Sequence, residues 1–256
     1  MSEPADSAGV PWAGRQFEPN PSASDDGSAP ERLIEALHRF RSREVGESEV
    51  LDALRESRLL IPLVAKLGDA GQNEAGQRVD KSQELSIVTV AGPDGRTVQP
   101  VFTSVDAMGR WNSAARPVPA DAVRVALAAA SELTELVVLD PTSATEFAVR
   151  RPALWAIAQQ QPWIPSYVDE AVLEAFVESA APEPPVIAVQ LAPGDPDSRL
   201  AGPELLVHLT LEPGLGKPDL DALLSRLREL WASNDTIVTR VDSLMVKLAP
   251  SISGAV

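Results

Sequence analysis

The fold of this chain is decided by residues 84–111, ELSIVTVAGPDGRTVQPVFTSVDAMGRW. Residues 84–90 and 97–103 are rich in β-branched and apolar side chains, and this pattern predicts two strands that pair with each other. Between them, Gly92-Pro93-Asp94-Gly95 supplies turn chemistry, because the proline presets φ and the last glycine can adopt a positive φ. Ser104 is a good N-cap for the helix that follows. The stretch therefore predicts strand, turn, strand and helix in succession.

Upstream of this stretch, the spacing of apolar residues predicts two helices and one buried strand. The first helix begins at Pro30 and carries Leu33, Leu37 and Phe40 on one face. A second helix follows it. Residues 58–65 are a nearly continuous apolar run, which is typical of a strand covered on both faces.

Downstream, the chain alternates between strands and helices. Arg116-Pro117-Val118-Pro119 predicts a rigid corner, because two prolines fix φ within four residues. The pattern then predicts a helix from residue 121, strands at 135–139 and 145–150, and helices at 153–160 and 168–179. Trp155 is expected in the core. The fold class is therefore α/β (α+β), with a mixed sheet flanked by helices.

A small ββαβ unit is predicted after the main domain. Strands at 186–191 and 205–211 precede the clean amphipathic helix 219–233, and a last strand lies at 244–248.

The domain division follows changes in composition along the chain. It predicts a disordered tail at 1–29, an α/β domain at 30–180, a proline-rich linker at 181–185 and the ββαβ domain at 186–256.

The composition disfavours several classes of function. The formal net charge is −15, which disfavours binding to nucleic acid or to an anionic membrane surface. The chain contains no cysteine, so thiolate metal sites and cysteine nucleophiles are excluded. No signal peptide or membrane span is expected, and the predicted location is cytoplasmic.

The search for catalytic chemistry gives a negative expectation. The two histidines, His38 and His208, have no identifiable partner group, and a structural or exposed role is favoured for both. Gly214-Leu215-Gly216-Lys217-Pro218 resembles a phosphate loop only faintly, because a proline stands where that loop needs Ser or Thr. We therefore predict no catalytic residues, no metal site and no cofactor.

One polar and aromatic set remains, near the predicted ends of elements. Arginines there can stack on indole rings or pair with carboxylates. One interpretation is an internal network that fixes corners, in which Arg150 and Trp155 also take part, and the other is a ligand or partner site. The six candidate binding residues are Asp106, Arg110, Trp111, Arg116, Asp140 and Arg151.

Several short motifs together resemble the SseB family, whose name comes from enhanced serine sensitivity. They include Pro100-Val101-Phe102-Thr103-Ser104, Arg110-Trp111, Ala115-Arg116-Pro117-Val118-Pro119, Leu139-Asp140-Pro141 and Arg150-Arg151-Pro152-Ala153-Leu154-Trp155. The resemblance covers roughly residues 30 to 170, as the N-terminal domain of the family. It implies a cytosolic α/β protein without an accepted catalytic mechanism, loosely associated with serine sensitivity when its level is raised. It supplies no catalytic residues.

Three hypotheses for function follow. The first is a non-enzymatic binding or regulatory protein with a protein partner. The second is a small-ligand sensor or enzyme whose pocket is built from Asp106, Arg116, Asp140 and Arg151. The third is a structural adaptor that uses the ββαβ unit as its interaction module.

Overall fold

A computed structural model describes residues 25–66, 71–72, 78–79, 84–132 and 134–249. Helices and strands are interspersed along these residues, and the protein has the predicted mixed α/β (α+β) architecture. The helices are α1 (Glu31–Arg41), α2 (Glu47–Arg55), α3 (Val105–Trp111), α4 (Ala122–Ser131), α5 (Arg151–Ala158), α6 (Glu170–Ala180), α7 (Lys217–Ala232) and α8 (Asp235–Arg240). The strands are β1 (Arg58–Lys66), β2 (Gly71–Gln72), β3 (Arg78–Val79), β4 (Glu84–Ile87), β5 (Val90–Ala91), β6 (Thr97–Val101), β7 (Arg116–Asp121), β8 (Val137–Leu139), β9 (Phe147–Val149), β10 (Val186–Pro193), β11 (Leu205–Leu211) and β12 (Leu244–Ala249). None of the helices in these residues combines the length and the apolar character needed to cross a membrane.

The main sheet is mixed and combines two groups of strands. In one group the order is β4-β1-β7, with both outer strands antiparallel to β1. In the other the order is β5-β6-β8-β9, in which β6 and β8 are parallel. Two backbone hydrogen bonds between Leu60 and Phe102, with N···O distances of 2.8 and 2.9 Å, join β1 to the chain just after β6. The two groups therefore act as one sheet.

Helices α1, α2, α4 and α5 cover one face of this sheet. Leu33, Leu37 and Phe40 of α1 are buried, as their spacing predicts. The Phe40 ring packs edge-on against Phe147 of β9, with ring centroids 5.3 Å apart. Val125 of α4 lies in the same buried cluster. Each such side chain stabilises the folded state by about 1.5–3 kcal/mol when fully buried. This face holds the larger core, because its buried cluster contains more residues than those on the opposite face.

The opposite face of the sheet is covered at two separate places. At one end, Met108 of α3 packs against Phe102. At the other end, Leu200, from the loop between β10 and β11, packs against Val98 and Val138. Between these two contacts the face of the sheet is open.

The turn and helix of the stretch 84–111 form as predicted. Gly92 N donates to Arg96 O at 2.7 Å, and Gly95 adopts a φ of +83°. Ser104 Oγ accepts a hydrogen bond from Ala107 N at 3.1 Å and so caps α3.

The predicted pairing of residues 84–90 with 97–103 is wrong over most of its length. It holds only at the tip, where Val90 pairs with Val98 and Ala91 with Thr97. β4 instead pairs with β1, because β6 is already bonded to β8 on one edge and the chain at Phe102 is bonded to β1 on the other.

The predicted corner at Arg116–Pro119 is also wrong, because these residues begin strand β7. β7 pairs with β1 along Arg58–Leu63, and Pro117 lies opposite Pro62. An edge strand tolerates proline because one of its two edges needs no partner for its backbone N–H groups.

The C-terminal sheet has the order β10-β11-β12 and confirms the predicted ββαβ unit. β10 is antiparallel to β11, whereas β12 is parallel to it after the crossover through α7. The short helix α8 was not predicted. Asn234 caps it by accepting hydrogen bonds from Thr236 N and Ile237 N.

The core of the C-terminal unit extends across the predicted linker. Val172 and Phe176 of α6 lie in the same buried cluster as the second sheet, and Phe176 packs against Trp231 with ring centroids 5.1 Å apart. Glu183, within the predicted linker, accepts two hydrogen bonds of 2.7 Å from Arg226. The division at 181–185 stays a prediction, but α6 packs with the second unit.

The predicted tail, residues 1–29, lies mostly outside the described residues. Its last residues, 25–29, contact the main domain, contrary to the prediction. Arg58 Nη2 donates to Asp25 Oδ1 at 2.8 Å and to Ser28 O at 2.5 Å. Gly27 is packed so closely that a Cβ atom there would lie 2.5 Å from Val105 Cγ2. The ordered domain therefore begins before Pro30.

Candidate functional site

Three of the predicted binding residues are exposed around α3. Asp106 and Arg110 lie on the helix and Arg116 begins β7. Within the described residues, no hydrogen bond or ion pair joins these side chains to one another. Trp111 is half-buried and tilts against Phe102, with ring centroids 5.2 Å apart.

Asp140 anchors the loop that follows β8. Its carboxylate is 1% exposed and accepts hydrogen bonds from Thr103 N (2.8 Å), Thr103 Oγ1 (2.7 Å) and Thr145 Oγ1 (2.8 Å). Asp140 has a φ of +44°, a region that Asp tolerates better than most residues. These contacts tie the end of β8 to the end of β6.

Arg151 fastens α5 to α8. Its Nη2 donates to Val238 O and Val241 O, each at 3.0 Å, and its guanidinium lies 5.2 Å from the centroid of the Trp155 ring. The stacking of arginine on indole is therefore present, in an internal contact. The pocket predicted from Asp106, Arg116, Asp140 and Arg151 does not assemble, because Asp140 and Arg151 are engaged elsewhere and the other two are exposed.

A cluster of charged side chains joins the two units of the molecule. We call it the junction cluster: Arg96, Arg150, Asp195 and Asp242. Arg150 donates to Asp195 Oδ2 at 2.7 Å and to Asp242 Oδ2 at 3.1 Å, and these three side chains are 8%, 2% and 1% exposed. Arg96 forms a two-pronged contact with Asp242 at 3.0 and 2.9 Å.

The carboxyl groups around the junction cluster have shifted pKa values. Burial raises the pKa of Glu204, although hydrogen bonds from Asp242 N and Ser166 act against this shift. Burial likewise raises the pKa of Glu47, against a hydrogen bond from Ser198. Burial together with the charges of Glu47 and Glu204 raises the pKa of Tyr167 to about 12.

The junction cluster is closed to ligands. The cavity between Glu47, Arg150 and Glu204 has a volume of about 10 Å³. Pockets that hold small molecules have roughly 300–1,000 Å³. The shifted pKa values therefore accompany a structural ion network rather than an open site.

The histidines do not form a catalytic constellation. His38 is exposed on α1, and His208 lies on β11 between Gln190 and Lys247 of the neighbouring strands. Among the described residues, neither histidine forms an ion pair with a carboxylate. In the same part of the chain, no group of three His, Cys, Asp or Glu side chains is arranged to hold a metal ion.

An open cleft lies on the face of the main sheet between α3 and the Leu200 loop. We call it the sheet cleft. Its volume is about 420 Å³, within the range of ligand pockets. Val98, Pro100 and Val138 are among its lining residues, and side chains two apart on a strand share one face of a sheet. Trp111 stands at the α3 side and Leu200 at the other. Of the six predicted binding residues, Trp111 lines it.

Among the described residues, Glu146 and Arg199 are the charged residues that line the sheet cleft. Glu146 Oε2 accepts a hydrogen bond from Thr142 N at 2.5 Å. Arg199 Nη2 makes long hydrogen bonds to Ser143 O (3.3 Å) and Ala144 O (3.5 Å). Both charged groups therefore lie at the loop of residues 140–146, and no ion pair joins them to each other.

Sequence reasoning missed Glu146 and Arg199. Arg199 lies in a polar loop between two predicted strands, and nothing in its local sequence separates it from other surface arginines. Its role depends on contacts with residues more than 50 positions away, such as Ser143.

Trp155 separates two shallow depressions on the helical side of the molecule. It is 43% exposed, which corrects the prediction that it lies in the core. One depression, of about 340 Å³, includes Trp163 and Ile164, and the other, of about 390 Å³, includes Arg151 and Leu154.

Comparison with known families matches residues 33–156 to the SseB protein N-terminal domain. Residues 33–156 form an SseB N-terminal domain. No curated protein and no solved structure matches it. The SseB match runs from α1 to α5 and includes Trp111, Val138 and Glu146. Arg199 and Leu200 lie beyond it, so the sheet cleft combines the SseB domain with a loop of the C-terminal unit.

Proposed function

We propose that this SseB-family protein is a cytoplasmic, non-enzymatic binding or regulatory protein that holds an apolar ligand group in the sheet cleft. The observation that carries the proposal is the cleft itself, with a volume of about 420 Å³ and an apolar lining that includes Val98, Pro100 and Val138. Ligand pockets are typically lined by apolar side chains with a few polar groups that fix orientation.

The positions of the ionisable groups support a binding function without catalysis. The carboxyl groups with raised pKa values, Glu47 and Glu204, surround the closed junction cluster. A general acid or base must reach the proton that it transfers, to within about 2.6–3.2 Å or through one water molecule. Groups enclosed at the junction do not meet this condition for a ligand in the sheet cleft.

The serine sensitivity linked to the family fits the same proposal. A protein that binds a metabolite lowers the free concentration of that metabolite when the protein is abundant. Sensitivity that appears at raised protein levels is therefore expected of a binding protein and needs no turnover.

Filling the cleft tests this proposal. Val138→Phe places a larger side chain on the cleft lining, at a position that is 7% exposed, and Val177→Phe controls for the added ring at an exposed position of α6, away from the cleft. Indole, a neutral apolar probe, should raise the melting temperature of the wild type and of the control, because a ligand that binds only the folded state stabilises it. It should have little effect on Val138→Phe. Equal shifts in all three proteins, or no shift in any, would contradict the proposal.

A second candidate function is the binding of a protein partner at Trp155. The favouring observation is that Trp155 and Ile164 are 43% and 56% exposed beside the same depression. Exposed aromatic residues next to grooves are enriched among interface hot spots. Trp155→Ala should then abolish recovery of a defined partner in a pulldown with the full chain, whereas Val177→Ala should not.

A further inference from the structure

The sheet cleft presents two charges of opposite sign beside an apolar surface. We propose that its ligand is a free α-amino acid with an apolar side chain, bound as the zwitterion. The carboxylate of the ligand contacts Arg199, its ammonium group contacts Glu146, and its side chain lies over Val98 and Val138. This inference rests on the proposed function and narrows it to a class of small molecule.

Arg199 is suited to bind a carboxylate. Its guanidinium carries five donors, and the described contacts are the two long bonds from Nη2 to Ser143 O and Ala144 O. A carboxylate can accept two parallel hydrogen bonds from such a group, which makes the contact stronger and directional.

A second cation lies near Arg199. Arg41 Nη2 donates to the backbone oxygen of Glu146, and Arg41 Nη1 donates to Asp197 O at 2.5 Å. Burial lowers the pKa of Arg41, and the positive charge of Arg199 lowers it further. The charges of Asp197 and Glu146 act against this lowering, and Arg41 is not among the residues that line the cleft, so Arg199 is the cation available to a ligand there.

Glu146 is suited to bind an ammonium group. It is half-buried, and its carboxylate accepts one described hydrogen bond, from Thr142 N. A carboxylate has about four lone-pair sites, so acceptor capacity remains for the ligand. A purely anionic ligand would be repelled by Glu146, and a purely cationic ligand by Arg199. A zwitterion matches both charges.

The size of the cleft also favours a single amino acid. A volume of about 420 Å³ is near the lower end of the usual range for ligand pockets, roughly 300–1,000 Å³. The apolar part of the lining, which includes Val98, Pro100 and Val138, favours an apolar side chain over the hydroxyl group of L-serine.

Three related probes test the inference by isothermal titration calorimetry with the full chain. L-phenylalanine carries both charges, 3-phenylpropionate lacks the ammonium group and 2-phenylethylamine lacks the carboxylate. L-phenylalanine should bind at least about tenfold more tightly than either analogue and more tightly than L-serine, because each analogue loses one charge-assisted hydrogen bond.

Two variants should act in opposite ways on the analogues. Arg199→Gln should weaken the binding of L-phenylalanine and 3-phenylpropionate by about tenfold or more. It should not weaken the binding of 2-phenylethylamine, which has no carboxylate. Glu146→Gln should weaken the binding of L-phenylalanine and 2-phenylethylamine. It should not weaken the binding of 3-phenylpropionate, which has no ammonium group. Its amide oxygen can still accept from Thr142 N, so the loop is preserved. Arg124→Gln and Glu174→Gln, at exposed positions of α4 and α6, should change nothing.

The outcomes separate this inference from the proposed function. Equal binding of the three phenyl probes that Val138→Phe abolishes and the charge variants leave unchanged would overturn the inference and keep the cleft as a binding site. Absence of binding by all three probes and by indole would overturn both.

Discussion

The junction cluster and the sheet cleft each combine arginine with carboxylates, yet they differ in how many of those charges are already paired. In the junction cluster, Arg150 is almost fully buried and donates to two carboxylates. It also donates to Gly202 O at 3.0 Å. In the cleft, Arg199 and Glu146 are half-buried and are not joined to each other. The first set is closed and the second is open to a ligand.

This difference shows how burial separates structural from binding charges. A buried charge without compensation costs several kcal/mol, so the chain itself must supply its partners. A half-exposed charge is solvated in the absence of a ligand, so its hydrogen-bonding capacity can be left for one. In this protein the almost fully buried charges hold the two units together, and the half-buried pair faces the cleft.

The largest expected effect is the loss of the central cation of the junction cluster. Arg150→Met leaves Asp195 without its buried partner and should lower the free energy of unfolding by about 3–5 kcal/mol. Urea denaturation measures this loss. Arg124→Met, at an exposed ion pair with Asp121, should change it by less than about 0.5 kcal/mol. If Arg150→Met lowers the free energy of unfolding as little as the control does, the junction cluster does not stabilise the fold.

The next largest loss of stability is expected at Asp140. Its carboxylate is buried and hydrogen-bonded, as are those of the junction cluster, although the sequence predicted it as a binding residue. Asp140→Ala leaves the donors of Thr103 and Thr145 unpaired and should lower the free energy of unfolding by about 3 kcal/mol. Asp140→Asn keeps one acceptor oxygen and should lose less. If denaturation finds both variants as stable as the wild type, Asp140 returns to the candidates for ligand binding.

The junction should also give stability a particular dependence on pH. Because the folded state raises the pKa of Glu204, its contribution is fully present below the ordinary pKa of 4.5 and is lost as the pH rises through the raised value. Glu204→Gln should therefore flatten the fall in stability above pH 4.5. Denaturation at a series of pH values measures this, and an unchanged slope in the variant would contradict the assignment.

Asp242 should act in a separate pH window. Burial tends to raise its pKa, but the hydrogen bonds and charge of Arg96, with the charge of Arg150, outweigh burial and lower the pKa. Its contribution is present above pH 3.8 and is lost as the pH falls through the lowered value. Asp242→Asn should remove this acid loss, and because the charge of Asp242 also raises the pKa of Glu204, it should reduce the fall in stability above pH 4.5 as well. A variant that loses stability in acid as the wild type does would exclude Asp242 as the source.

The smallest effect on stability is expected for the charged residues that line the sheet cleft. Arg199→Gln should change the free energy of unfolding by less than about 0.5 kcal/mol, because Arg199 makes only long bonds to two carbonyl groups among its described contacts. The same urea denaturation measures it. A loss approaching that of Arg150→Met would show that the two regions do not differ in kind.

Local features of the chain were predictable because they depend on neighbours within a few residues. The apolar spacing of α1, the turn that ends at Gly95 and the Ser104 cap all appear where the sequence places them. Trp111 was predicted as a candidate binding residue because an arginine and a tryptophan at a helix end are visible in sequence; it lines the sheet cleft, and its role in binding stays a prediction. The internal network around Arg150 and Arg151 was one of two interpretations that the sequence left open.

The sequence by itself determined most of the helices and strands, the Ser104 cap and the absence of cysteine chemistry, since these depend on short-range contacts and composition. The tertiary structure decided which strands pair, and so placed β4 on β1 and made β7 an edge strand. It also brought Arg199 to Glu146 across the boundary between the two units, which no local pattern encodes. Strand pairing and pocket formation depend on which edges and faces remain uncovered once the whole chain has folded, and that is a property of long-range contacts alone.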